Sequence, residues 1–151
     1  MFQQCRLELE AQGIHQWDEI YPNREVIQED LQHHTIYILK VHGDIAGVVT
    51  MDQLEPEPYR SIDWNDANDK YAIIHRLSVR PEHQGKGIAL ELMEFAHASC
   101  IREHYNSIRL DVYSGNDRAV SFYRKLGYEL RGQVHFPRRT LPFFCMEKVL
   151  T

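Results

Sequence analysis

Several features that mark particular protein classes are scarce or missing in this sequence. Its three cysteines, Cys5, Cys100 and Cys145, are odd in number and far apart, which favours reduced thiols in a cytosol over disulfide bonds. The nine histidines are scattered, and no spacing of histidine and cysteine matches a zinc site, so we expect no metal. No apolar run approaches the roughly 18 residues of a membrane span, and the first residues show no secretory pattern. We therefore expect a cytoplasmic protein that has no membrane partner.

An excess of positive charge is also missing. The 17 basic and 22 acidic residues give a net charge of -5, so nothing indicates a nucleic-acid partner. The sequence contains no repeat, low-complexity tract or domain linker. Its 151 residues suit a single domain over residues 1–151, which would bury roughly 70% of its unfolded surface. The composition leaves a homodimer open.

The most informative stretch that is present runs from Tyr71 to Ala89. A hydrophobic strand over 71–79 stops at Pro81, and a helix with a broad apolar face follows from about Lys86 to His104. Between them, Gly85 and Gly87 let a ligand approach the main chain closely. The first N–H groups of a helix are unpaired and carry partial positive charge. This combination predicts an anion site, most naturally one for phosphate.

Two common phosphate fingerprints are excluded by the residues around these glycines. The pattern G-x-x-x-x-G-K-S/T fails because Gly87 is followed by Ile88 and Ala89. The pattern G-x-G-x-x-G fails because Leu90 stands where the third glycine should be. What does fit is Gln84-x-x-Gly87-x-Ala89 directly after a hydrophobic strand.

That pattern resembles motif A of the GCN5-related N-acetyltransferase (GNAT) superfamily, whose amides cradle the pyrophosphate of an acyl coenzyme A. The resemblance extends from about Tyr37 to the C-terminus. It includes Leu110-Asp111-Val112, Asn116 and Tyr123-x-x-x-Gly127-Tyr128.

The resemblance implies an α/β GNAT fold, a mixed twisted β-sheet with splayed central parallel strands and helices on both faces. The residues agree, since runs over 35–41 and 45–51 flank His42-Gly43-Asp44 as a hairpin. A strand over 107–113 and a helix over about 118–126 follow, so the two central strands pair in parallel through a right-handed crossover. An antiparallel pair over 128–136 and 143–150 closes the sheet.

The start of the chain departs from the family pattern. Residues 1–12 read as a helix that ends at Gly13, and a second helix runs from Arg24 to about Gln32 behind an Asn23 cap. Domains of this family usually open with a strand and the first half of the first helix. We therefore expect the N-terminal strand to be missing, either because the start is truncated or because the sheet does without it.

The resemblance also implies acetyl coenzyme A (acetyl-CoA) as the acyl donor and assigns its contacts. The backbone of Leu77 and Val79 would pair with the pantetheine arm in the gap between the two parallel strands, as in strand addition. Asn116 can contact the same arm and also cap the next helix. The residues expected to bind the cofactor are Leu77, Val79, Gln84, Gly85, Lys86, Gly87, Ile88, Ala89, Asn116 and Tyr123.

Two side chains are candidates for catalysis. Tyr123 is expected to be the general acid, because a departing thiolate needs a proton and a phenol with a reference pKa near 10 keeps one at neutral pH. His75, four residues before Val79 and on the same face of the strand, matches a histidine of the arylalkylamine acetyltransferases and suits a base for the amine. Asp52 and Glu55 compete for that role. No cysteine lies in the motifs, which agrees with direct attack in a ternary complex.

The acceptor is only weakly specified. Four aromatic residues in the loop after the first helix and in the long polar loop over 52–70 are candidate pocket walls or core residues: Trp17, Tyr21, Tyr59 and Trp64. We expect the acetyl group to pass to a primary amine of a small molecule. A protein N-terminus or lysine is the alternative acceptor, which an exposed acidic groove would favour. A non-catalytic acyl-CoA-binding module is the alternative outside catalysis.

Overall fold

The computed structural model describes residues 1–150, which form four helices, six strands and two short 3-10 turns. The helices are α1 (Phe2–Ala11), α2 (Arg24–Gln32), α3 (Ile88–Arg102) and α4 (Asp117–Lys125). The strands are β1 (Ile36–Val41), β2 (Asp44–Asp52), β3 (Tyr71–Val79), β4 (Ser107–Tyr113), β5 (Glu129–Val134) and β6 (Phe143–Val149). The 3-10 turns span Glu57–Ser61 and Pro81–His83.

The strands form one mixed sheet in the order β1-β2-β3-β4-β6-β5. Strands β1 and β2, β4 and β6, and β5 and β6 pair antiparallel, whereas the central strands β3 and β4 are parallel. Helix α3 connects the parallel pair, as a parallel connection requires. The predicted α/β class is therefore confirmed. Helix α1 is the first element of the chain, as expected.

The chain divides into two compact units by its internal contacts. The first comprises Met1–Asp52 and Ile74–Ser99, and the second comprises Gln53–Ile73 and the chain from Cys100 onward. The single domain expected from the length stays a prediction. Among residues 1–150, no helix is long and apolar enough to cross a membrane.

In the first unit, the β1–β2 hairpin turns at His42 and Gly43, whose φ angles of 50° and 85° are both left-handed. Two consecutive positive φ angles are what a tight hairpin requires. Gly47 on β2 has no room for a side chain, because an added Cβ would lie 2.8 Å from Ile88 Cγ2 and 2.9 Å from Leu92 Cδ1. Helix α3 therefore packs directly on the backbone of β2.

The predicted apolar face of α3 is mostly buried. Its buried members are Ile88, Leu92, Met93, Ala96, Ser99 and Cys100. Phe95, three residues after Leu92 and so expected on this face, is instead 43% exposed, and its ring centroid lies 5.1 Å from that of Tyr37 on β1.

In the second unit, the polar loop after β2 is held by side chains of β5 and β6. The Glu147 carboxylate on β6 is 2% exposed and accepts the backbone N–H of Asn65 at 2.7 Å and of Asp66 at 3.2 Å. The Arg131 guanidinium donates to the carbonyl of Asp63 at 2.7 Å. The loop is therefore an ordered part of this unit.

Candidate active site

The turn that follows β3 has the features of an anion site. The Gln84 side chain donates from Nε2 to the carbonyl of Val79 at 3.1 Å and so ties the turn to the end of the strand. Gly85 and Gly87 have φ angles of 75° and 80°, and a Cβ added to either would meet nothing within 4 Å. Open space therefore lies beside the backbone at both glycines.

The backbone amides of this turn precede the hydrogen-bonded part of the helix. The first intrahelical bond of α3 runs from the N–H of Glu91 to the carbonyl of Gly87 at 3.0 Å. The N–H groups from Gly85 to Ala89 thus lie at the positive end of a 15-residue helix. Ile88 is buried and anchors the helix start, whereas Lys86 is exposed. These features fit a phosphate group.

Strand β3 is irregular where the cofactor backbone contacts were expected. Arg76 has a φ of 50°, which is outside the extended region, so the alternation of side chains between His75 and Val79 is interrupted. The Val79 carbonyl already accepts the Cys5 thiol at 3.3 Å as well as the Gln84 amide. Leu77 and Val79 are both half-buried.

A buried ion pair at the same point of β3 was not foreseen from the sequence. Arg76 Nη2 lies 2.6 and 2.7 Å from the two carboxylate oxygens of Asp30 on α2, and both side chains are 9% exposed. Arg76 Nη1 donates to the hydroxyl of Tyr21 at 2.7 Å, and Thr50 donates to Asp30 at 3.0 Å. The signal that could have found it is a charged residue inside an apolar strand, which has to be paired.

The candidate base His75 is paired with one of its two competitors. His75 Nε2 lies 2.8 Å from Asp52 Oδ1, and the two side chains are 13% and 9% exposed. The other competitor, Glu55, belongs to the second unit, where its Oε1 accepts Arg109 Nη1 at 3.3 Å. Asp52 and Glu55 are thus each engaged by a nitrogen donor.

In the second unit, two residues of the family pattern are buried: Asn116, directly before α4, and Tyr123 within it. Asn116 caps the helix, since its Oδ1 accepts the N–H of Ala119 at 3.1 Å. Tyr123 is 8% exposed and its ring packs edge-on against that of Tyr128, with 5.8 Å between centroids. Burial, with a smaller contribution from the Asp111 carboxylate, raises the pKa of Tyr123 above its ordinary value. The phenol therefore keeps its proton.

The four predicted aromatic walls differ in what they offer a ligand. Tyr59 is fully buried and its hydroxyl donates to Asp111. The Trp64 ring packs at a tilt against that of Tyr59, with 5.3 Å between centroids, and its Nε1 donates to the Tyr59 carbonyl at 3.1 Å. In the first unit, Trp17 lies 6.0 Å from the ring of Phe2. Trp17, Tyr21 and Trp64 are all half-buried.

A cavity of about 310 Å³ lies within the second unit. Its lining includes three carboxylates, two aromatic rings and one guanidinium: Glu55, Asp63, Asp69, Trp64, Tyr71 and Arg109. The Arg109 guanidinium lies over both rings, with its Cζ 3.7 Å from the Tyr71 centroid and 4.6 Å from the Trp64 centroid. Among the described residues, no group of three or more histidine, cysteine, aspartate or glutamate side chains could hold a metal ion.

Comparison with known proteins places these features in a family. A family model described as the acetyltransferase (GNAT) family matches residues 2–128. The chain belongs to this GNAT family and is therefore an acetyltransferase by class.

Individual relatives agree with this assignment. The chain is 25% identical over 126 residues to the uncharacterised N-acetyltransferase YesJ of Bacillus subtilis strain 168, a match that covers 82% of this chain and 70% of that protein. It is 35% identical over 79 residues to a streptothricin acetyltransferase from Escherichia coli, which covers 52% of this chain and 43% of that protein. A solved GNAT-family acetyltransferase from Streptococcus agalactiae 2603 superposes with a TM-score of 0.85 at 23% identity, covering 99% of this chain and 86% of that one. This last likeness shows the fold alone.

Proposed function

We propose that this protein transfers an acetyl group from acetyl-CoA to a primary amine of a small molecule. The observation that supports acetyl-CoA as the donor is the turn from Gln84 to Ala89. There, open space lies beside two glycines with left-handed φ angles at the start of α3. In that role, the amides of Gly85 to Ala89 hold the pyrophosphate, and Gln84 keeps the turn against Val79. Lys86, which is exposed, adds a nearby positive charge.

The rest of the cofactor contacts follow from the family pattern. Leu77 and Val79 offer backbone groups to the pantetheine arm, although the Val79 carbonyl is already an acceptor for Cys5 and Gln84. Asn116, which also caps α4, is the proposed contact for the same arm. Acetyl-CoA supplies the acetyl group as a thioester, which an amine can attack directly.

Tyr123 is the proposed general acid. Its raised pKa, caused first by burial, keeps the hydroxyl protonated at neutral pH, so Oη can donate a proton but cannot act as a base there. His75 is the proposed base, because an amine with a pKa near 10 arrives as an ammonium ion and has to lose a proton before it attacks. The reaction then needs no covalent enzyme intermediate.

The acceptor class is supported by one relative and by aromatic side chains. A relative that carries the name streptothricin acetyltransferase supports a small-molecule acceptor, and Trp17, Tyr21 and Trp64 are half-buried aromatic walls for it. Tyr59 is fully buried and contacts Trp64, with 5.3 Å between ring centroids. The carboxylates around the cavity of the second unit are the observation that favours the alternative, a lysine or N-terminus of a protein.

The experiment begins with calorimetric titration of the purified protein with acetyl-CoA. Thiol release is then followed in the same preparation with a panel of small amines and lysine-containing peptides. Binding with turnover of small amines supports the proposal. Turnover of peptides alone favours the alternative acceptor, and binding without any turnover favours a non-catalytic module.

Two glycine variants separate the anion turn from general backbone strain. Gly87→Ala and Gly43→Ala both place a Cβ in open space at a φ of 80° and 85°, respectively, so both should lower the stability by about 1 kcal/mol. Only Gly87 belongs to the proposed pyrophosphate turn. We expect Gly87→Ala to weaken acetyl-CoA binding at least about 10-fold, which is about 1.4 kcal/mol, while Gly43→Ala binds like the wild type. Equal affinities in the two variants would contradict the assigned turn.

A further inference from the structure

The His75–Asp52 pair joins two neighbouring stretches of the first unit. Asp52 is the last residue of β2, and His75 lies on β3, 23 positions later in the sequence. Their side chains are 9% and 13% exposed, and Nε2 and Oδ1 are 2.8 Å apart. A contact this short and this well covered holds both side chains in one orientation, unlike an ion pair on an open surface.

The pairing decides which ring nitrogen is available for chemistry. A carboxylate oxygen can only accept a hydrogen bond, so the Nε2 atom of His75 carries the hydrogen in this contact. A neutral imidazole has one N–H group, which leaves a lone pair on Nδ1. Within residues 1–150, His75 makes no other side-chain hydrogen bond, so Nδ1 is not engaged by the protein.

The backbone beside His75 is held as well. The next residue, Arg76, has a left-handed φ of 50° and is tied to Asp30 of α2 by two short hydrogen bonds at 2.6 and 2.7 Å. The backbone at His75 is thus held by the hydrogen bonds between Arg76 and Asp30, and the edge of its ring is held by Asp52. A base gains most from such fixation, since proton transfer needs the two heavy atoms within hydrogen-bond reach.

We propose that Asp52 is a positioning residue that holds His75 in the Nε2–H tautomer, so that Nδ1 takes the proton from the acceptor ammonium. In that step an Nδ1–H bond forms and an N–H bond of the ammonium breaks, which gives a neutral amine and an imidazolium. The imidazolium keeps its Nε2–H bond to Asp52 as a charge-assisted hydrogen bond and returns the Nδ1 proton to water. The inference rests on the proposed role of His75 as base, and it removes Asp52 as an independent base.

Three variants of the 151-residue chain test this. Asp52→Asn keeps the size of the side chain but removes the carboxylate, His75→Gln removes the ring, and Asp44→Asn makes the same change at the exposed start of the same strand. We expect Asp52→Asn to lower kcat for the amine about 10- to 100-fold, part of the 10²–10⁴ that a positioned base contributes. The affinity for acetyl-CoA should stay within about 2-fold, and Asp44→Asn should match the wild type in both.

The second readout does not depend on turnover. In a ¹⁵N-resolved NMR spectrum of the wild type, His75 should show a slowly exchanging Nε2–H proton and an unprotonated Nδ1. In Asp52→Asn the Nε2–H proton should exchange faster, because the neutral amide oxygen is a weaker acceptor than the carboxylate. A wild-type spectrum with the proton on Nδ1, or an equal exchange rate in the two proteins, would overturn the positioning role. This spectrum of the wild type decides the matter even if Asp52→Asn does not fold.

Comparing the turnover of these two variants also distinguishes a failure of this inference from a failure of the proposed base: His75→Gln tests the base, and Asp52→Asn tests the positioning role. If His75→Gln turns over like the wild type, the base assignment fails, and with it the catalytic value of Asp52. If His75→Gln is impaired while Asp52→Asn is fully active, the base stands and the positioning role is wrong.

Discussion

At the scale of single residues, Tyr123 is the side chain whose chemistry is most sharply constrained. Its hydroxyl is buried and its pKa is raised by burial first and by Asp111 second. We expect Tyr123→Phe to lower kcat about 100-fold, which is within the range of general acid catalysis, because the ring stays and only the proton donor is lost. Thiol release under saturating acetyl-CoA measures this, and calorimetry should show nearly unchanged cofactor binding.

Tyr128→Phe is the matched control for this prediction. Tyr128 is also buried, packs against the Tyr123 ring and has a pKa that burial raises. It should keep wild-type turnover, because only its neighbour is assigned the proton. If Tyr123→Phe is as active as Tyr128→Phe, the acid is another group.

Single residues also show which parts of the site could be predicted from the sequence. The turn from Gln84 to Ala89 was predictable because its glycines and helix start are neighbours in the chain. The partner of His75 was not, since the register between β2 and β3 decides that Asp52 faces it, and a sequence pattern leaves Asp52 as a rival base. The buried position of Tyr59 was equally open, because an aromatic residue in a polar loop can line a pocket or fill a core.

At the scale of elements, the Arg76–Asp30 pair attaches α2 to β3. Asp30→Asn should lower the free energy of unfolding by about 3–5 kcal/mol, because it leaves the Arg76 guanidinium, 9% exposed, without its charged partner. Urea denaturation followed by circular dichroism measures the loss. Glu29→Gln, the same kind of change at the exposed neighbouring position of α2, should cost less than about 0.5 kcal/mol. A similar loss in both variants would mean that the pair contributes nothing specific.

Element boundaries followed from the sequence where local patterns control them. Strands β3 and β4 have the predicted limits, since alternating and β-branched residues end at Pro81 and at the Ser114-Gly115 turn. Helix α3 begins at Ile88, two residues later than expected, because Gly87 has a φ of 80° and cannot be helical. The order in the loop over 53–70 could not be foreseen, because the Glu147 carboxylate that holds it is more than 80 positions away.

At the scale of the whole molecule, the buried thiols predict how stability depends on pH. Burial raises the pKa of Cys100 from 9.0 to about 11 and that of Cys145 from 9.0 to about 12. Above pH 9 the unfolded chain loses these protons while the folded chain keeps them, so the unfolded state is favoured as pH rises. The stabilising contribution of each neutral thiol is complete below pH 9 and is lost as the pH approaches its folded value.

The free energy of unfolding should therefore be flat for these groups below pH 9 and fall by about 1.4 kcal/mol per pH unit for each thiol between pH 9 and 11. Urea titrations at half-unit steps from pH 8 to 10.5 measure the slope. Cys145→Ala should be less stable at every pH because of the cavity it leaves, yet its stability should fall less steeply with pH. Met146→Ala, a fully buried neighbour on β6 without an ionisable group, should be destabilised in the same way but keep the wild-type slope. If Cys145→Ala and Met146→Ala have the same slope, the alkaline loss comes from other groups, and the Cys145 thiol is not held neutral by the fold.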